Sequence, residues 1–392
     1  MGDNTSSVPS RLYHASHQPS ITDLKKTCSS TITKADLPLA SSIEKNIPIY
    51  ALQPTLPSID HLTALQDEWH HTLLSGPGVF IVKNLYRNTS LIDRINSIFA
   101  SIIESEAARG DAAGDHFASS GKNSRIWNSF SKHCILDPSS FAEYYSNPWL
   151  SAICEAWLGP GYRITAQVNI VHPGGAAQSC HRDYHLGFQN RDGVRRFPRV
   201  MQVASQMLTL QGAVAHSDMP IESGPTRLLP FSQLVEDGYM TFRDPEVQNF
   251  FEANYVALPL SKGDGLFFNP ALFHAAGENT TRKFSRSANL LQISSAFGKA
   301  MESIDTMGLI EKCWDILVEK YRREGVSGEL KALVKAVAEG YPFPTNLDRS
   351  PPDPKTMAPV SEQELMLRLL EQGLEKDEAM SQLRDLRAAR DA

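Results

Sequence analysis

The chain has 392 residues, 41% of them hydrophobic, which is enough for one large packed domain or two ordinary ones. Its charge is mixed, with a net of -6, and this excludes the basic surface that draws a protein to nucleic acid. No apolar run is long enough to span a membrane and the N-terminus lacks the apolar core of a secretory signal, so the sequence points to a cytoplasmic protein that handles small molecules.

Residues 1–45 are rich in Ser and Thr and read as a mobile or loosely docked N-terminal arm. Leu62, Leu65, Trp69 and Leu73 then recur at helical spacing, with Ser58 or Asp60 as a cap and Gly76-Pro77-Gly78 as a stop. Val79–Val82 is a buried-strand pattern, and Leu91–Ile103 resumes a helix. A Gly-, Ala- and Asp-rich loop is expected from Arg109 to Gly121. Ser139–Leu158 reads as one helix, and Tyr162–Val171 alternates polar and apolar residues at the period of a strand.

Arg191, Arg195, Arg196 and Arg199 read as a solvated charge run, with recognition of an anionic substrate as the competing role. Val200–Val214, Phe250–Leu260, Gly265–Asn269 and Ser287–Phe297 are expected to be strands, and Lys262-Gly263-Asp264-Gly265 a turn that closes a hairpin. Beyond Phe297 the period becomes helical, through Met307, Ile310, Trp314, Leu317 and Tyr321 and again through Leu330, Leu333, Val334 and Val337. A Pro-rich connector follows, in which Tyr341-Pro342-Phe343 forms an external strap or an aromatic lid. Ser361 and Glu364 spell a capping box, Gly373 a stop, and a second helix runs through Leu383, giving a hairpin that serves homodimerisation or covers the core. The five cysteines, Cys28, Cys134, Cys154, Cys180 and Cys313, are scattered without CxxC pairing and read as reduced thiols.

The chemistry concentrates in CHRDYHLGFQ, Cys180–Gln189. On a strand His181 and Asp183 leave the same face and can grip one metal ion, and His274 supplies a third ligand. Two histidines and a carboxylate form the facial triad that leaves positions on Fe(II) open, and Arg286 offers a fork for a carboxylate. His185 would share that strand face as a pocket residue that does not coordinate, while Cys180 points the other way and packs.

Three ordered motifs, VHPGGAAQSCHRD, ESGPTRLLPFSQ and KGDGLFFNPALFHAAGENTTRKFSR, resemble the phytanoyl-CoA dioxygenase-like branch of the Fe(II)/2-oxoglutarate-dependent oxygenases, from about Asp60 to Gly298. The resemblance implies a mainly β fold with α, a double-stranded β-helix (jelly roll or cupin-like) buttressed by helices. It occupies residues 46–300, with an α-helical extension over 301–392. It implies Fe(II) on His181, Asp183 and His274, 2-oxoglutarate against Arg286 and Gln178, and O2 as the oxidant. Arg125 and Asn128 become candidate substrate contacts, joined by His185 and Phe343, and His216 with Asp218 becomes a structural turn.

The implied reaction is hydroxylation, desaturation or oxidative cyclisation of a small secondary metabolite or amino acid, releasing succinate and CO2. The intact carboxylate of Asp183 argues against halogenation. The spelling looks like fungal biosynthetic members, and aziridine formation from an aliphatic amino acid is a specific case. The alternatives are a cupin-like metal isomerase or hydrolase using His181, His185 and His274, or an inactive scaffold.

Overall fold

The computed structural model describes residues 8–109 and 122–391; the loop expected from Arg109 to Gly121 therefore lies, apart from Arg109, outside the described residues. Helix α1 (Ile21–Cys28) and strands β1 (Ser42–Glu44) and β2 (Ile47–Ala51) lead into α2 (Ile59–Leu74), β3 (Val79–Lys83) and α3 (Thr89–Arg109). Next come β4 (Asn123–Ile126), α4 (Ser129–Leu136), α5 (Pro138–Tyr145), α6 (Pro148–Leu158) and β5 (Arg163–Val171). The middle of the chain supplies α7 (Arg191–Arg195), α8 (Arg199–Ser205), β6 (Thr209–Ala215), β7 (Arg227–Leu229), α9 (Gly238–Thr241) and α10 (Pro245–Asn254). Strands β8 (Gly265–Phe268), β9 (Phe273–Ala275) and β10 (Arg286–Ser294) precede α11 (Thr306–Glu324), α12 (Gly328–Val337), α13 (Glu362–Gln372) and α14 (Lys376–Arg390).

Eight strands form one sheet in the order β1-β2-β3-β8-β6-β10-β5-β4, and β7 pairs with β9 in a second. Single bridges widen the smaller sheet at both edges, His181 opposite His274 and Leu228 opposite Val256. Side chains of both sheets line one cavity, which makes the architecture a double-stranded β-helix.

The large sheet is a wall between two cores. Ile164, Ala166 and Val168 of β5, Leu210 and Val214 of β6, and Leu291 and Ile293 of β10 join a cluster with Trp69, Ile153, Trp314, Leu333 and Leu383 from the surrounding helices. The alternate residues Ala213, Ala215, Leu266, Phe268 and Ala288 form a second cluster inside the β-helix. Burial of both faces explains the unbroken apolar runs of β3 and β8, where a one-sided sheet would alternate. In β5 the polar set Thr165, Gln167 and Asn169 is buried as well, so its alternation marks an inward polar face rather than a solvated one.

Residues ahead of β1 lie along this body. Glu68 of α2 accepts hydrogen bonds from the Leu39 and Ala40 amides, both at 2.9 Å, and from the Tyr50 hydroxyl at 3.0 Å. His17 meets Asp237 at 2.7 Å.

Several elements differ from the sequence reading. The helix expected over Ser139–Leu158 is two, because Pro148 has no amide hydrogen to continue α5, and Asn147 caps α6 through the amides of Trp149 and Leu150. The first part of the strand expected over Val200–Val214 is α8, entered through Pro198, and β6 begins only at Thr209. The first part of the strand expected over Phe250–Leu260, through Asn254, is the end of α10, whose buried Val247 and Phe251 stand one helical turn apart, and beyond it only Val256 and Leu260 make bridges. Lys262–Gly265 turns from the Leu260 bridge into β8, which pairs with β3 and β6 instead of closing a hairpin.

The C-terminal helices follow their signals closely. Ser361 and Glu364 form the full capping box of α13, and Gly373, at φ 67°, ends it in a left-handed conformation that glycine adopts without strain. Helix α14 runs on to Arg390, past the expected end at Leu383. Among the described residues no helix is long and apolar enough to cross a membrane. All five cysteines are free, and Cys134 and Cys313 meet across α4 and α11 with sulfurs 3.6 Å apart.

Candidate metal centre

The two sheets bring three potential ligands together. His181 and His274 are directly opposite one another in the small sheet and exchange both backbone hydrogen bonds, at 3.0 and 3.2 Å, so their side chains share a face. Their ring centroids stand 4.4 Å apart. The Asp183 amide donates to the Pro270 carbonyl at 3.1 Å, which brings its carboxylate back over the same face. Its oxygens lie 3.7 Å from Nε2 of His181 and 3.3 Å from Nε2 of His274. All three residues are buried, and one ligand atom from each falls within 4.8 Å of the others.

This donor set fits a six-coordinate divalent ion. Ligand atoms ~2.1 Å from such an ion stand ~3 Å apart at adjacent positions, close to the spacings seen here. Nδ1 of His181 lies 2.9 Å from the Ser179 carbonyl, and Nδ1 of His274 lies 2.9 Å from the Leu272 carbonyl. A carbonyl only accepts, so each Nδ1 carries its proton and each Nε2 faces the centre, where a bound metal would take its lone pair.

Burial alone would push the Asp183 carboxyl up. The hydrogen bond from His274, the charges of both imidazoles and the Gln211 amide outweigh it and hold Asp183 well below the usual carboxylate range. The site is therefore built around an ionised carboxylate.

A cavity of about 80 Å³ opens on the triad. Arg286 enters it from the first residue of β10, opposite Val171 of β5, and its Nη1 donates to the Gly224 carbonyl. Gln178 lines the same space, with its side-chain oxygen accepting from the Ala276 amide at 3.0 Å. Arg125 lines it too; it donates to Gln167 at 2.8 Å and packs over the Trp127 ring at 4.8 Å.

The other expected contacts lie elsewhere. Asn128 starts α4 at φ 50°, with its amide donating to Glu302 at 2.7 Å, and it does not line the cavity. The strand that would aim His185 alongside the ligands is interrupted at Tyr184, φ 60°, so the chain turns and His185 also falls outside the lining. Phe343 packs on Tyr341, which packs on Phe297, away from the lining residues.

Cys180 packs against Phe242, Val247 and Phe273, as its strand parity implied, and burial pushes its thiol up. His216 is bonded to Tyr144 and Asn96 inside the core, and burial holds it down at about 3. The basic stretch after Asn190 is occupied structurally: Arg191 meets Asp244 at 3.4 Å, and Arg199 lies over the Tyr13 ring.

Reasoning from motifs missed the amide wall of the cavity. Gln211 donates to Asp183, while Asn169 and Gln292 line the space beyond. The signal was present as the polar residues at alternate positions of strands otherwise built to be buried.

Residues 75–288 match the family model described as phytanoyl-CoA dioxygenase (PhyH). The chain belongs to that family. That family is one of Fe(II)/2-oxoglutarate-dependent dioxygenases, whose cofactors are Fe(II), 2-oxoglutarate and O2, and the buried His-Asp-His group offers the donor set such an iron would need. A curated relative, the dioxygenase andF of Emericella variicolor, is 28% identical over 151 residues, which are 37% of this chain and 46% of that protein. The chain thus spans less than half the length of that relative.

Among solved structures, the non-heme α-ketoglutarate-dependent carbocyclase SnoK from nogalamycin biosynthesis aligns over 62% of this chain and 88% of its own, at 18% identity and TM-score 0.44. The epimerase SnoN of the same biosynthesis aligns over 60% and 83%, at 16% identity and TM-score 0.40. Those activities belong to those proteins.

Proposed function

We propose that this member of the PhyH family is an Fe(II)- and 2-oxoglutarate-dependent oxygenase of a small-molecule substrate, with His181, Asp183 and His274 as the iron ligands. The observation that carries the reading is the convergence of two imidazole Nε2 atoms and one carboxylate on a cavity that also receives Arg286. Iron, when bound, supplies oxygen activation coupled to decarboxylation of 2-oxoglutarate, with release of succinate and CO2.

The chain's own residues supply ligation and orientation. The Ser179 and Leu272 carbonyls hold the imidazoles in one tautomer, and Gln211 restrains Asp183. Arg286, buried and tied to Gly224, offers a fixed fork for the far carboxylate of 2-oxoglutarate, and Gln178 stands beside it. Arg125 lines the same space and is assigned to the substrate. Burial of the three ligands keeps bulk water from the reacting groups. Hydroxylation, desaturation and ring formation share this first half-reaction, and the amino-acid and secondary-metabolite classes rest on the sequence resemblance.

The test is succinate formation by the Fe(II)-loaded protein given 2-oxoglutarate, oxygen and a panel of amino acids, terpenoids and acyl-CoAs. Stimulation by one class that is lost in His181→Ala supports the proposal. Succinate that never exceeds the protein-free control, together with no 2-oxoglutarate binding by calorimetry, would overturn it.

A further inference from the structure

We propose that Gln211 and Gln292 form a donor–acceptor pair that grips a neutral amide or hydroxyl group of the substrate beside the metal ligands; this deepens the oxygenase reading and rests on it. The two side chains stand directly opposite one another on β6 and β10 and both line the cavity.

Their orientations are set by fixed charges at either end. Gln211 donates through Nε2 to the Asp183 carboxylate. A carboxylate only accepts, so the amide cannot be flipped and its carbonyl oxygen faces away from Asp183. That oxygen is buried without a partner, on a residue only 8% exposed.

On the far side the Arg125 guanidinium donates to Oε1 of Gln167 at 2.8 Å, and Nε2 of Gln167 meets Oε1 of Gln292 at 3.3 Å. A guanidinium only donates, so this relay cannot be flipped either, and it turns the Gln292 carbonyl toward Gln167. The NH2 of Gln292 is the end left to turn to the cavity.

An acceptor on Gln211 therefore stands next to a donor on Gln292, and buried polar groups of this kind call for a partner. A substrate group that satisfies both must donate and accept, which an amide or a hydroxyl does. A carboxylate lacks the donor and would face the Gln211 oxygen and Asp183, and an ammonium offers nothing to the Gln292 NH2. The next rung of the same face is the apolar pair Ala213 and Leu290, which suits an aliphatic body attached to that polar group.

The test is anaerobic calorimetry on the Fe(II)- and 2-oxoglutarate-loaded protein with probes of one carbon skeleton, namely isovaleramide, isoamyl alcohol, isovalerate and isoamylamine. The amide and alcohol are expected to bind at least about tenfold tighter than the carboxylate and amine, since sites built on hydrogen bonds reject analogues that leave them unpaired. Gln292→Glu keeps an acceptor for Gln167 but replaces the donor, so the amide should weaken about tenfold and the amine gain. Should that variant not fold, Gln292→Met should bring all the probes to within about threefold of one another. Failure of 2-oxoglutarate to bind the iron-loaded protein would sink the oxygenase reading itself. If 2-oxoglutarate binds but the probes bind alike, give no heat, or keep their ranking in the Gln292 variants, the pair holds only water and this proposal is wrong.

Discussion

Replacing Arg286 with Met removes a guanidinium that is 5% exposed and lines the cavity, while keeping most of its aliphatic stem. Truncating one partner of a buried, hydrogen-bonded charge pair costs ~2–5 kcal/mol. At ~1.4 kcal/mol per tenfold, the dissociation constant for 2-oxoglutarate should rise by roughly 30-fold to more than 1,000-fold. The lost bond to the Gly224 carbonyl adds a stability cost of ~1 kcal/mol, small beside the ~5–15 kcal/mol that holds a domain folded. Arg286→Lys should fall between, because a lysine keeps the charge but not the planar fork. The assay is anaerobic calorimetry of 2-oxoglutarate into metal-loaded protein, with melting curves to confirm that each variant is folded. A folded Arg286→Met variant that binds within about threefold of the parent would show that the carboxylate is held elsewhere.

A divalent metal near 100 times its dissociation constant should stabilise the protein by ~2.7 kcal/mol, seen as a higher melting temperature that a chelator reverses. Asp183→Ala should erase the shift, and its survival there would place the metal at another group. His133 sits among the rings of Phe99, Phe141 and Tyr145, and burial, only partly opposed by Asp137, holds it down at about 4. The unfolded chain takes up that proton near pH ~6.5, so stability is complete above that pH and declines toward pH ~4 by up to ~1.4 kcal/mol per unit. Denaturation midpoints should therefore fall less steeply across this window in His133→Leu; an unchanged slope would assign the acid sensitivity to other groups. Gly224 adopts φ +72°, and a Cβ there would lie 2.3 Å from the Glu278 carbonyl. Gly224→Ala should cost more than ~1 kcal/mol and weaken 2-oxoglutarate binding through Arg286, which calorimetry and melting would show together. Parent-like values in both would mean that this turn does not position the arginine.

The ligand spacing was legible because His181 and Asp183 are close in sequence and His274 lies within a recognisable motif. Which face they would share was not, since that depends on a bridge between residues 181 and 274 rather than on a continuous strand. The prediction for His185 failed for the same reason: strand parity holds only until the backbone leaves it, here at Tyr184. Helix α10 was misread because Phe250–Leu260 begins inside it, after the Asp244-Pro245 entry that would have announced a helix. Helices α11 and α12 were clear from the period of their buried residues alone. The amide wall stayed hidden because polar residues at strand spacing ordinarily mean solvent, and only the topology shows helices packed on the opposite side of β5 and β10.

A sheet with a helical core on one side and the site on the other divides labour residue by residue. Along β5, Ile164, Ala166 and Val168 answer to the scaffold, whereas Asn169 lines the cavity and Thr165 and Gln167 bond Gln292 and Arg125, which line it. Point changes at the second set can retailor recognition while the first continues to hold the fold, so new substrates are reachable one codon at a time. Insertion or loss of a single residue within these strands would instead exchange the two sets, presenting aliphatic side chains to the iron and amides to the helices. Divergence of this protein should therefore run through substitution in its strands and through length changes only in the loops between them.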